Sequence, residues 1–252
     1  MKTKFIMILT FLSCFGYSQD MVGVFKRKTV FPIGLFSKKN SSIYGVSVGI
    51  GSNIEPTLKN NSTNTNGLRL EPISDALLIV TLIFGPETTY FPTKETDFIA
   101  FGNKLPNEII NGMNISSGTN AFVKVNGITI SAVSQLIKQS NGISITGFGS
   151  SSFKNNGLQI AGAGTSATIS NGFIGSFLNT EVFTGKGLQI GGFNQYVNFT
   201  GLQIGIFNDV EGESKNFTGL QIGFLNNAKK LKGIQLGLWN SNEKRSLPFI
   251  NW

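Results

Sequence analysis

Histidine is absent from the 252 residues, and cysteine occurs once, as Cys14. Without His, Ser-His and Cys-His nucleophile systems are excluded. Zinc sites built on His or Cys are excluded with them. A single cysteine cannot form an intrachain disulfide, so stability must rest on packing and hydrogen bonds. Charge is also scarce, at 13% of residues against 40% hydrophobic. No Asp or Glu lies between Glu108 and Glu181. A carboxylate pair of the kind that hydrolyses glycans therefore has no place in that stretch. Asp209, Glu211 and Glu213 cluster in DVEGESK, but their spacing is not that of an EF-hand loop, and a solvated acidic loop is the simpler reading. GFGSSS at 147–152 has the glycines of a phosphate loop but no Lys-Ser/Thr pair in the required place. The sequence thus offers no catalytic residue, no cofactor-binding residue and no metal ligand set, and a non-enzymatic role is expected.

Long hydrophobic runs are missing too. Phe5 to Phe15 and ALLIVTLIFG at 76–85 are each too short to cross a bilayer as a helix. The first belongs to MKTKFIMILTFLSCFGYSQD, which has the form of a secretory leader. Lys2 and Lys4 form its charged start, and Gly16 and Ser18 place a cut after Ser18. A rival cut before Cys14 would give a lipoprotein, although Phe11-Leu12-Ser13 is a poor lipobox. The second run reads as a buried strand, with a membrane-touching or partner-binding loop as the sharper alternative. Export is expected, to the cell surface, outer membrane or periplasm.

The formal charge is +8, and loss of Lys2 and Lys4 would leave +6. The basic residues are scattered in small groups such as Lys26-Arg27-Lys28 and Lys229-Lys230. They read as a solvated face, with mild attraction to anionic envelope surfaces as the alternative. An exported chain meets no nucleic acid by default. The expected partner is an unidentified envelope or surface protein or glycan, and membrane association stays open.

Glycine (31 residues) and Phe (22 residues) dominate what is present. Glycines at 112, 127, 142, 157, 172, 187, 201, 219 and 233 open units spaced by 15, 15, 15, 15, 15, 14, 18 and 14 residues. Asn precedes the first five. The late units read GLQIGGFN, GLQIGIFN, GLQIGFLN and GIQLGLWN. Leu or Ile at the second and fourth positions alternates with Gln at the third, as on the two faces of a strand. Gly at the fifth position before an apolar pair marks a corner. The 18-residue step carries DVEGESK as a loop insertion.

An all-β repeat array of about 15 residues per unit follows. Its expected form is a β-solenoid, one coil per unit, with Leu and Ile stacked inward and Gln and Asn stacked as amide ladders. The alternative is an antiparallel meander or outer-membrane β-barrel, in which Asn-Gly would be a hairpin turn. Pro248 in the last segment and strands of only about six to eight residues oppose a membrane barrel.

Four regions are expected: a leader over 1–18, an irregular N-terminal part and cap over 19–110, the array over 111–240 and a C-terminal cap over 241–252. Within the second, IYGVSVGIGS (43–52) and NGLRLEP (66–72) carry degenerate units, while TLKNNSTNTN (57–66) reads as a polar loop and Pro86, Pro92 and Pro106 punctuate the remainder. The late units, followed by NEKRSLPFINW, resemble the bacterial surface repeat-containing proteins built from GLQIG-type units, of the kind found in spirochaetes and Bacteroidetes. The close match covers about residues 187–252. The resemblance implies a cell-envelope or surface location and transfers no catalytic residue.

Overall fold

The structure is a computed structural model and describes residues 27–37, 39–51, 62–74, 95–209 and 216–252. The expected leader with Cys14, the apolar run 76–85, Pro86, Pro92 and residues 210–215 of the insertion lie outside the described residues. The elements in chain order are β1 (Lys28–Val30), β2 (Ile33–Leu35), β3 (Ser41–Val48), β4 (Thr63–Glu71), α1 (Glu95–Asn103), β5 (Glu108–Thr146), β6 (Gly149–Ala161), β7 (Gly164–Ser176), β8 (Asn179–Asn208), β9 (Asn216–Ile222), β10 (Leu225–Ala228), β11 (Lys230–Asn242) and β12 (Ser246–Asn251).

Neighbouring strands pair in parallel, one coil upon the next, in a β-solenoid of about 12 turns. That pairing rules out the antiparallel meander and barrel. The register follows the opening glycines: Gly142 faces Gly157, which faces Gly172, which faces Gly187. It holds across insertions, with Gly45 on Gly67, Gly67 on Gly112 and Gly201 on Gly219. Insertions leave the stack undisturbed because each coil bonds only to its neighbours. Thr63 to Asn66, expected in a polar loop, form the start of β4 instead. The reason is the stacking on β3: Thr63 and Thr65 point into the coil, and Thr65 Oγ1 donates to Ser47 Oγ at 2.8 Å.

The opening glycine is a corner that only glycine tolerates. Gly172 has φ of 136°, and a Cβ there would overlap the carbonyl oxygen of Gly157 directly below it. The last coil is closed by β12, which folds back antiparallel on β11. Pro248 falls where that ladder skips between Gly237 and Asn240, so its missing N–H breaks no pairing there.

The interior inverts the expected orientation. Gln159, Gln189, Gln203, Gln221 and Gln235 are fully buried, while Ile143, Ile145, Ile160, Ile222, Ile234 and Leu236 are exposed. The amides face inward because stacking satisfies them. Gln203 Nε2 donates to Gln189 Oε1 at 3.1 Å, Gln221 to Gln203 at 2.6 Å, and Gln235 to Gln221 at 2.8 Å. Asn251 of β12 adds the last rung, donating to Gln235 Oε1 at 3.0 Å. A second buried ladder runs from Asn194 through Asn208 and Asn226 to Asn240, at 2.7, 2.6 and 2.7 Å. Its room comes from the fifth-position glycines: a Cβ on Gly205 would collide with the amides of Asn194 and Asn208. Apolar packing fills the rest of the coil, with Ile174, Val182, Tyr196, Phe199 and Phe217 in one cluster and Ile110, Val123, Val125 and Ile137 in another.

The helix α1 was not foreseen in the irregular 19–110 region. Glu95 and Asp97 suit its N-terminal turn, and Phe98 and Phe101 share one face by their spacing of three. That face lies on the outside of the solenoid. Phe101 meets Phe122 and Phe153 at ring distances of 5.2 and 4.7 Å, and Phe98 meets Phe183 at 4.9 Å. Lys138 Nζ donates to the Gly102 carbonyl at 3.0 Å. Burial, with Lys104 and Lys124 nearby, lowers the Lys138 pKa to about 8.

Candidate interaction surface

Since Gln points inward, the second and fourth residues of each unit point outward. The register stacks them into two columns along the solenoid. The first includes Ile33, Val46, Leu68, Met113, Leu158, Leu188, Leu202, Leu220 and Ile234. The second includes Leu35, Val48, Leu70, Ile115, Ile160, Ile190, Ile204, Ile222 and Leu236. Ile115, Ile130, Ile145 and Ile160 keep 41%, 40%, 43% and 37% of their surface in solvent, so no other described element covers them. Where the second column has Gly175, the ring of Phe173 lies over the gap. With coils about 4.8 Å apart, the strip is roughly 50 Å long and about 10 Å wide.

The corner after the fifth position extends this apolar surface. Phe148, Phe177, Leu178, Phe193, Ile206, Phe224, Leu238 and Trp239 are all exposed there. Phe193 and Phe207 stack with centroids 5.1 Å apart and planes 12° apart. On the opposite flank stands a neutral amide ladder. Asn111 donates to Asn66, Asn126 to Asn111, Asn141 to Asn126, Asn156 to Asn141 and Asn171 to Asn156, at 2.7–3.0 Å.

The charged groups inside the solenoid serve the fold. Arg69 is fully buried, donating Nε to Glu108 and Nη1 to Glu71, each at 2.8 Å, and Nη1 to Asn114 at 2.9 Å. Phe36 covers the guanidinium at 4.1 Å. Burial opposes the Arg69 charge, but the fields of Glu108 and Glu71 outweigh it and raise its pKa. Burial pushes the Glu108 carboxyl above its ordinary value, with Arg69 in partial opposition. The cluster was invisible in the sequence because 39 residues separate Arg69 from Glu108.

Asp209 of the acidic insertion is buried and accepts a bond from Asn227 at 3.1 Å, while Glu211 and Glu213 lie outside the described residues. Among the described residues, no group of three His, Cys, Asp or Glu side chains could hold a metal ion. In GFGSSS the serines are structural. Ser150 and Ser152 are buried against Gln159, and Ser151 bonds Ser166 at 2.7 Å. No helix among the described residues is long and apolar enough to cross a membrane.

What the arrangement offers chemically is contact: a rigid, uncharged, ribbed apolar surface. The outward columns were legible in the sequence as a period-2 alternation, but their direction was not. Compared with known proteins, the chain matches no family model, no curated protein and no solved structure.

Proposed function

We propose that the chain is an exported, non-enzymatic repeat protein of the cell envelope or surface, whose work is binding or structural and is done through its apolar sheet face. The observation that carries this reading is the pair of uncovered Leu/Ile columns. With the exposed corner beside them the apolar area is on the order of 1,000 Å², above the ~300–600 Å² of the largest patch on a typical soluble monomer, and a patch that large marks a contact site. Export is supported by the leader-like start with Lys2, Lys4 and a cut after Ser18. The likeness of the late units to GLQIG-type surface repeat proteins supports an envelope placement. A non-enzymatic role is supported by the lack of His and of any acid between Glu108 and Glu181.

Fractionation of producing cells tests this. The wild type should be found with the envelope or outside the cell. The triple variant Ile145→Glu, Ile160→Glu, Ile222→Glu should keep its β-rich circular dichroism and lose envelope retention or its surface partner. Equal retention of the two proteins, or hydrolase activity in the pure protein, would overturn the proposal.

A further inference from the structure

We infer that the occupant of the apolar face is a second copy of this chain, docked sheet to sheet. This rests on the reading of that face as a contact surface, and it names the partner. Three observations carry it.

The first is area. The strip alone presents on the order of 500 Å², and the exposed corner beside it, with Phe177, Phe193, Phe224 and Trp239, brings the total to on the order of 1,000 Å². A stable interface needs about 800 Å² from each partner. Two such faces stacked about 10 Å apart would bury the strip, and the corner side chains along its edge would supply the rest.

The second is charge. The two columns hold no charged residue from Ile33 to Leu236 in a chain with a formal charge of +8. Like-charged copies can therefore meet here without placing cations opposite one another. A lipid surface would instead be met by an apolar face rimmed with Lys and Arg. Here the edge directly beside the first column is the neutral Asn66–Asn171 ladder, interrupted among the described residues by Lys186 and Lys232, with Lys154 and Lys230 one step further out.

The third is period. The face is a comb of side chains repeating at the strand spacing, about 4.8 Å, along its whole length. A comb of that pitch is matched along its length by another β-sheet, whose strands repeat at the same spacing. This chain supplies one, and a two-fold axis through the face lets each copy present the same surface to the other.

Sedimentation equilibrium of the mature chain, across protein concentrations, tests this. Twice the chain mass is expected, with Ile145→Glu plus Ile160→Glu weakening association by at least ~100-fold while circular dichroism is unchanged. Lys154→Glu, on the amide flank and away from the columns, should leave the dimer intact. A wild type that stays monomeric at tens of micromolar overturns the inference, as does a dimer indifferent to the Ile variants. A monomer that binds neutral or anionic vesicles through this face also overturns it, and assigns the face to lipid. A monomer whose envelope retention still depends on Ile145, Ile160 and Ile222 overturns the second copy alone and leaves the contact role standing.

Discussion

Replacing Gln221 by Leu should destabilise the protein, although it puts an apolar residue into a buried site of similar size. Gln221 donates to Gln203 Oε1 at 2.6 Å and accepts from Gln235 Nε2 at 2.8 Å. It also donates to Tyr196 Oη at 3.1 Å and to the Asn227 carbonyl at 3.3 Å. After substitution Gln203 Oε1 has no donor, while Gln235 Nε2 keeps the Ser241 carbonyl at 3.1 Å. The orphaned Gln203 acceptor costs about 1–3 kcal/mol and the lost rung to Gln235 about 1 kcal/mol, while Tyr196 Oη and the Asn227 carbonyl keep each other at 2.9 Å. Burying leucine in place of the amide returns about 1–2 kcal/mol, for a net loss near 2 kcal/mol.

The sharper test is the triple variant with Gln203, Gln221 and Gln235 all changed to Leu. A ladder cut in one block is orphaned only at its ends, here at Gln189 Oε1, since Asn251 Nδ2 keeps the Asn240 carbonyl at 3.4 Å, with the Ser241 carbonyl also losing its donor. The expected cost is about 3 kcal/mol rather than the ~6 kcal/mol of three independent losses. Ile174 shows that the column tolerates such a break. Its neighbours Gln159 and Gln189 turn to Ser150, Ser152 and Thr180 instead. Urea unfolding with hydrogen exchange at the β8, β9 and β11 amides would read both variants, since repeat arrays need not unfold in one step. A neutral single variant, or strictly additive costs, would refute the ladder as the stabilising element.

Three other outcomes are expected. Gly172→Ala should cost at least ~2 kcal/mol, because φ of 136° and the Gly157 carbonyl both exclude a Cβ, and hydrogen exchange should localise the damage to β6–β8. Phe153→Ala should cost about 3–5 kcal/mol and release α1 from the solenoid, read as new protease cleavage near 95–103 with the β-sheet spectrum retained. Glu108 holds its proton more tightly folded than unfolded, so its contribution to stability is full below the ordinary value of 4.5 and is lost as pH rises through the raised folded value. Against Glu108→Gln, which keeps an acceptor for Arg69, the wild type should lose relative stability on going from pH 4.5 upward; a difference that is flat with pH would contradict this.

Much of the architecture was legible because a solenoid writes its period into the chain. The 15-residue spacing of the opening glycines is the distance once around a coil, and the parallel register repeats it pair by pair. The amide ladders were legible as recurring Gln and Asn columns. Burial direction was not. Alternation shows that Leu188 and Ile190 share one face and Gln189 the other, but not which of the two faces is inside. The usual rule that apolar means inward then chooses wrongly. The helix α1 was missed because two phenylalanines three apart are too weak a signal in nine residues. Its docking partners Phe122, Phe153 and Phe183 come from three different coils.

The sequence by itself determined the repeat, its period, the corner glycines and the poverty of reactive groups, because each of these is local or periodic along the chain. Only the tertiary structure decided which face became surface. A buried amide is tolerable only when the next coil places another at hydrogen-bond distance, and that condition exists once the coils are stacked. Stacking moved Gln203 and Gln221 into the core and left Leu202 and Ile222 outside, where a partner can reach them.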